Sequence, residues 1–583
     1  MSQHHGSSRG LLPLPLLVAL ALLAAVIVFQ WAGGAFRAEF SGHPDEAAHY
    51  VTGLMVRDYV AAGLPGSPLQ YAENYYVHYP KVALGHWPPF FYLVQAAWTL
   101  LFSPSRVAIL LLMAVLTATV AIGIYFCLRR DCGEVVGAGM ALLFVSLPWV
   151  QRFSQMVMTE IPLMLLCFSA ALAYGQFLEK PSWRPAILFS ALAALAILTN
   201  GRGTTLALLP PLAVLISGRL DLLRRPLFWF PALPVALVCG PWHLLSLKWG
   251  LNWAGEPSLQ FARRAAIANL VHLGAFCGGC LCVLIVVGLA AKVLGPLRRS
   301  QVSGKWAALA ALVLSVWTFH TFLTGVLEPR YLMIAIPPLV ALAGGGIHWL
   351  VQRLSQAGMR AAWAAPCVVV AVAAGYGLQH FQLVSKPSDG YPQLVRDLLS
   401  RPELRSTVML VAAGAAREGA FIAEVAMQER RPGHIVLRST KALARSTWQD
   451  EDYQMNFRTT SEVAAYLESI PVGLVAVDTD ASEPWRPHRG QLLEALRQRP
   501  DHWRLLDLEG QQDSGLRVYR LARREYRTAA RVRVDMRARL GRVLYERPTP
   551  AVVTVASPAP APAPTPAPRR PPLTTTRPRR GKS

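Results

Sequence analysis

LLPLPLLVALALLAAVIVFQW, residues 11–31, and shortly after it GHPDEAAHY, residues 42–50, decide how this chain is read. The first stretch has no charged residue, and at 1.5 Å per helical residue it spans a hydrocarbon core of about 30 Å. No small-residue cleavage site follows, so it reads as a retained anchor rather than a removed signal. The second stretch sets two carboxylates, Asp45-Glu46, just beyond the span, where charge is costly and marks function. His-Pro-Asp-Glu before Ala47-Ala-His-Tyr also suits a helix start with Asp45 as its cap, and both readings stand at this point.

The rest of the composition agrees with a membrane protein: 53% of the 583 residues are hydrophobic and 16% charged, with the apolar residues gathered in spans and the charges between them. The net charge of +23 does not point to nucleic acid. Fifteen basic residues against three acidic ones follow Ala522, which puts about half the excess in the tail. No Walker-type loop, stacking platform or other nucleic-acid motif is present. All eight cysteines fall between Cys127 and Cys367. Cys277-Gly-Gly-Cys280-Leu-Cys282 has one zinc-like spacing but no second pair beside it, so small residues packing a membrane helix is the better reading.

Ten further apolar runs, at 107–127, 133–150, 161–178, 185–200, 204–217, 228–247, 269–294, 306–324, 331–350 and 361–381, bring the expected spans to about eleven. Alternate connections carry Arg129-Arg130, Lys180 with Arg184, Arg219 with Arg224-Arg225, Arg298-Arg299 with Lys305, and Arg353 with Arg360. By the positive-inside rule these are cytoplasmic, which places the N-terminus inside and the C-terminal region outside. Asp45-Glu46, His86, Arg152, Glu160, Arg202, His243 and Glu328-Pro-Arg330 then share the outer surface, as a catalytic or binding pocket requires.

Residues 33–106 form a connection far longer than usual, the kind that tends to be functional. Within it the aromatic run from Pro88 to Phe102 reads as a helix lying in the interface. Residues 1–385 are thus a transmembrane domain. From 386 to 522 the pattern changes to a small soluble α/β domain, with strands expected at 407–412, 434–437, 473–477 and 516–521 and helices at 416–429, 461–469 and 490–499. Residues 523–583 read as a basic helix or extended arm and then a disordered Pro/Ala/Arg-rich tail, solvated or holding anionic lipid.

The order of these features is similar to that of the C-type (GT-C) membrane glycosyltransferases. Asp45-Glu46 in a long outer loop, Pro88-Pro-Phe-Phe-Tyr, Met158-Thr-Glu-Ile-Pro, Thr199-Asn-Gly-Arg202 and Glu328-Pro-Arg-Tyr331 carry the resemblance over residues 10–380. Nearest in pattern are the family 39 protein mannosyltransferases and the bacterial aminoarabinose and lipid-A-core sugar transferases. The resemblance implies a polytopic, mainly α bundle that passes a sugar from a polyprenyl-phosphate donor to an envelope acceptor on the outer face. A bacterial cytoplasmic membrane is the expected setting.

That chemistry needs a base for the acceptor hydroxyl and cations for the departing phosphate. Asp45 is the candidate base, with Glu46 either orienting it or binding the acceptor, or else simply facing water. Arg330 and Arg202 are the candidate phosphate ligands, with Lys81 and Arg152 behind them. A Glu328–Arg330 pair or interfacial snorkelling is the other reading of Arg330. Glu160 stands where relatives often carry Asp, and is either a partner of substrate hydroxyls or a helix-start acid. His49, one turn after Asp45, is placed to bond and tune it.

His86-Trp87 replaces the acidic residue and Lys that precede the Pro-Pro segment in aminoarabinose transferases, which weakens the case for that sugar. Relatives hold a metal with a histidine near the place of His243, so His86 and His243 are candidate ligands of a divalent cation, or simply hydrogen-bonding imidazoles. A transporter of an envelope precursor and a non-catalytic envelope scaffold are the alternatives. No internal repeat favours the first, and the second leaves the clustered polar residues unexplained.

Overall fold

The computed structural model describes residues 13–250, 258–298, 302–405, 407–445, 453–480, 486–522, 532–535 and 543–546. Seven of its helices are long and apolar enough to cross a membrane: Leu14–Ala32, Arg106–Cys132, Glu160–Glu179, Pro226–Ser246, Leu259–Leu297, Pro329–Gln356 and Ala362–Gln379. Glu134–Ser146 and Pro148–Ser154, bent by 64° at the break between them, are long and apolar enough only as a pair, a broken span or a re-entrant loop. The bend falls where Pro148 drives Leu147 out of the helical region, to φ −60° and ψ 131°.

About eleven spans were expected, and the difference lies in three helices. Trp183–Thr199 and Gly201–Ser217 are apolar but short. Gly304–Phe322 carries Lys305 and His320, which dilute its hydropathy. All three are packed into the bundle, against Glu160–Glu179 and one another.

Bundle packing depends on small residues where helices cross. The helices Leu259–Leu289 and Ile336–Gln356 meet so closely that a Cβ on Gly288 would lie 1.8 Å from the Leu342 carbonyl oxygen, and one on Gly346 would lie 2.2 Å from that of Leu284. Backbone cannot move aside as a side chain can. Gly346→Leu is therefore expected to cost about 3 kcal/mol, the upper end of ordinary overpacking, read as a lower melting temperature of the detergent-solubilised protein. Gly377→Leu, where an added Cβ meets nothing within 4 Å, is the silent control.

The long connection holds three helices, Glu46–Ala61, Pro68–His78 and Phe90–Leu101. The last occupies the expected interfacial run and packs on the first. The four strands expected in the C-terminal region are present within a larger set: β1 (Val408–Ala412), β2 (Val436–Arg438), β3 (Ala444–Arg445), β4 (Gln454–Met455), β5 (Val472–Asp478), β6 (Trp503–Leu505), β7 (Leu516–Leu521), β8 (Val532–Asp535) and β9 (Val543–Glu546).

Five of them form a sheet ordered β2-β1-β5-β7-β6, with β1 parallel to both neighbours and β5, β7 and β6 antiparallel in turn. β1 and β5 are buried along their whole length, as central strands covered on both faces are. β8 and β9 pair within the segment expected to be a basic arm. The expected disordered tail after residue 546 lies outside the described residues.

The helix Ala415–Gln428 seats this domain on the helix Glu46–Ala61 of the long connection. Arg106 pairs with the fully buried Glu424, Arg431 Nε lies 2.6 Å from Asp58 Oδ2, and the Tyr79 hydroxyl donates to Glu429 at 2.6 Å. The sheet domain and the polar end of the bundle therefore meet around the residues that follow Asp45.

Candidate active site

A cavity of about 370 Å³ opens at this end of the bundle, lined among others by Asp45, His49, His86, Trp87, Arg202, His243, Arg330 and Tyr331. Beneath it runs a row of alternating charges in which Asp45, Arg330 and Arg202 line the cavity and Glu160 is buried behind them. Arg330 Nη2 lies 3.1 Å from Asp45 Oδ2 and Nη1 lies 3.5 Å from Glu160 Oε1, while Arg202 Nη2 lies 3.0 Å from the same Glu160 oxygen. Asn200 accepts from the Arg202 backbone N–H and Nε, both at 3.1 Å, and donates to the Thr159 hydroxyl at 3.0 Å. Both guanidinium groups lie over the Tyr331 ring, at 4.5 Å for Arg202 and 5.3 Å for Arg330.

This geometry bears on the cap and ion-pair readings left open. Asp45 and Thr159 occupy the caps of their helices yet make no side-chain cap bond. The Asp45 and Glu160 carboxylates turn instead to the arginines. Arg330 is 4.0 Å from Glu328 but 3.1 Å from Asp45, so its main partner is the candidate base.

Other expected site residues are placed differently. Glu46, expected as a second catalytic or acceptor-binding acid, is fully buried, does not line the cavity and pairs with Lys386 at 2.6 Å. Burial raises its carboxyl against the pull of that lysine. Lys81 is also buried outside the lining, its ammonium bonded to the carbonyls of Pro44 at 3.3 Å and Ala415 at 3.0 Å, and burial lowers it to about 7. Arg152 and Glu328 are both exposed and outside the lining.

His49 lines the cavity, but its Nδ1 meets the Tyr92 hydroxyl at 2.8 Å rather than Asp45, and its ring packs on Trp87 at 4.2 Å. Burial lowers it to about 4, so it brings no cation for phosphate at neutral pH. His86 and His243 both reach the cavity. Among the described residues no three His, Cys, Asp or Glu side chains come together as metal ligands, and no step below runs through a metal.

Two contributors escaped the sequence reading. His43 Nδ1 sits 3.5 Å from Asp45 Oδ2 and accepts the Asp45 backbone N–H at 3.1 Å; its position two residues ahead of Asp45 is the signal that could have marked it. Lys386 follows the last span, where a lone lysine reads as an ordinary loop charge.

Burial alone would raise the Asp45 carboxyl, but the charges of His43 and Arg330, with the hydrogen bond from Arg330, hold it below the usual carboxylate range. The ionised form is the one that accepts a proton. Loss of activity with acid is therefore displaced downward: kcat/KM should stay level from pH 7 to about 5 and fall only below the ordinary Asp value near 3.9. A pH–rate profile checks this, and an acid limb centred near 6 contradicts it.

A family model described as dolichyl-phosphate-mannose-protein mannosyltransferase matches residues 86–244, the segment that carries His86, Glu160, Arg202 and His243. No curated protein matches the chain. Among solved structures, ArnT from Cupriavidus metallidurans in the apo state aligns with a TM-score of 0.54 at 14% identity, covering 86% of this chain and 98% of that one. The same protein bound to undecaprenyl phosphate gives 0.51 at 14% identity, covering 86% and 97%. The Archaeoglobus fulgidus oligosaccharyltransferase tethered with an acceptor peptide gives 0.50 at 12% identity, covering 80% and 69%. At such identities the likeness is one of fold: this chain is a multi-span membrane protein with an ArnT-like fold, and its residues 86–244 are similar to the mannosyltransferase model.

Proposed function

We propose that the cavity binds the phosphate and sugar of a polyprenyl-phosphate-linked donor and passes the sugar to a hydroxyl of an envelope acceptor, on the outer face of a bacterial cytoplasmic membrane. The acceptor oxygen forms a bond to the anomeric carbon, the bond from that carbon to the carrier phosphate breaks, and the phosphate leaves with the electron pair. Asp45 takes the acceptor proton. Arg330 and Arg202 hold the phosphate and balance the charge it gains.

The observation that carries this reading is the buried row Asp45, Arg330, Glu160, Arg202 beneath the cavity. It supports the reading because the Asp45 carboxylate sits beside Arg330, with Arg202 across Glu160 from it, and both arginines have planar donor forks. The lipid phosphate bound by the ArnT structure lends support to the donor class. Glu160, buried behind the lining, serves here to set the spacing of the two arginines.

The test is transfer of label from radiolabelled polyprenyl-phosphate sugars to envelope extracts by the purified protein in nanodiscs. Transfer supports the proposal. Label that crosses a proteoliposome membrane without reaching an acceptor would replace it with transport.

A further inference from the structure

We infer that Lys386 is a positioning residue for the reaction, and that the segment 382–389 between the last span and the C-terminal domain acts as a strap holding the two acidic loops of the site in register. The inference rests on the proposed roles of Asp45 and Glu160. The Lys386 ammonium reaches Glu46 Oε1 at 2.6 Å and the Gln155 carbonyl at 3.2 Å, with both charged side chains almost wholly enclosed. Glu46 in turn accepts the backbone N–H of Gly42 at 2.9 Å and of Val157 at 3.3 Å. One carboxylate thus ties the loop ending at Asp45 to the loop leading into Glu160.

The strap is itself fastened along its length. The Lys386 backbone N–H donates to the Gly33 carbonyl at 2.7 Å. Gln151 and Gln155 bond the Val384 backbone N–H and C=O at 3.1 and 2.9 Å. At its far end the buried Glu39 receives the Asp389 N–H at 2.8 Å. On the other side of Asp45, Lys81 joins the Pro44 carbonyl to Ala415 of the C-terminal domain. Asp45 is therefore bracketed by two buried lysines, each anchored to the segment or domain that follows the last span.

A tie of this kind sets geometry and touches no reacting atom. A shift of about 1 Å in either loop moves Asp45 or Glu160 relative to the Arg330 fork, and displacements of that size cost about 10²-fold in rate. The substitutions to compare are Lys386→Met, Glu46→Gln, the two combined, and Asp45→Asn, each in nanodiscs. The inference expects Lys386→Met to lower kcat at least about tenfold with KM for the donor and binding of sugar-free undecaprenyl phosphate unchanged, because Arg202 and Arg330 stay in place. It also expects the combined variant to be no slower than about threefold below Lys386→Met, since a pair that acts as one unit is lost once.

A Lys386→Met enzyme of wild-type kcat overturns the inference. So does one that loses carrier binding together with kcat, which marks general unfolding, or a combined variant whose losses multiply. Asp45→Asn separates the two levels: if it transfers normally, the proposed function itself is wrong, whereas loss there beside an unaffected Lys386→Met removes only the strap's role.

Discussion

Asp45→Asn is expected to lower sugar transfer by about 10²- to 10⁴-fold at neutral pH, the range a positioned general base contributes. The amide keeps the shape of the carboxylate and its carbonyl oxygen still accepts from Arg330, now 3.1 Å from Asp45 Oδ2. It has no lone pair basic enough to take the acceptor proton. Arg330 is not left without a counter-charge, because Glu160 remains 3.5 Å away, so the fold should survive. The measurement is initial rate of label transfer beside thermal unfolding of the same preparation. A melting point near wild type with transfer gone assigns the proton to Asp45, while equal rates in the two proteins remove it from that role.

Arg330→Met should have the second large effect, on stability as well as on rate. Its guanidinium is shared between two buried carboxylates, and removing one partner of a buried pair typically costs about 3–5 kcal/mol, because the other is left uncompensated. Glu160 retains Arg202 at 3.0 Å, so the burden falls on Asp45. Lysine is not a conservative replacement. A single ammonium on a flexible stem cannot present separate donors to Asp45 and Glu160 in the geometry the planar fork provides. Arg330→Lys is expected to recover part of the melting temperature and little of the transfer or carrier binding. An Arg330→Lys enzyme with wild-type carrier affinity would show that charge alone suffices there.

The fold was legible where its cause is local. The first span, the long connection and the four main strands follow from apolar runs and alternation that need no knowledge of neighbours. At 185–200, 204–217 and 306–324 the expected spans appear as helices that are shorter or less apolar than the other seven, and sequence hydropathy does not distinguish a helix buried among helices from one that crosses lipid unaided. Trp183–Thr199 and Gly201–Ser217 are short helices packed in the bundle.

The site divides in the same way. Asp45, Glu160, Arg202 and Arg330 could be singled out because each sits beside an apolar run, and a common sidedness brought them together on paper before the distances did. Glu46 and Lys81 carry the same chemistry in the same loop, and only three-dimensional placement turns them from the cavity toward partners hundreds of residues away. Lys386 had no local signal, since its importance lies entirely in the buried carboxylate it meets.

The pairing of Lys386 with Glu46 also bears on modularity. The sequence invites a cut at residue 385, with a membrane part before it and a soluble part after it. Charge neutrality does not respect that seam. A chimera that joins residues 1–385 to a foreign C-terminal domain leaves Glu46 enclosed without its cation, whereas one that carries residues 382–389 along with the membrane part keeps the pair and the bonds to Gly33, Gln155 and Glu39. The unit that can be exchanged between relatives therefore begins beyond Asp389 and has to bring partners for Asp58 and Arg106 in place of Arg431 and Glu424, while the strap travels with the membrane part.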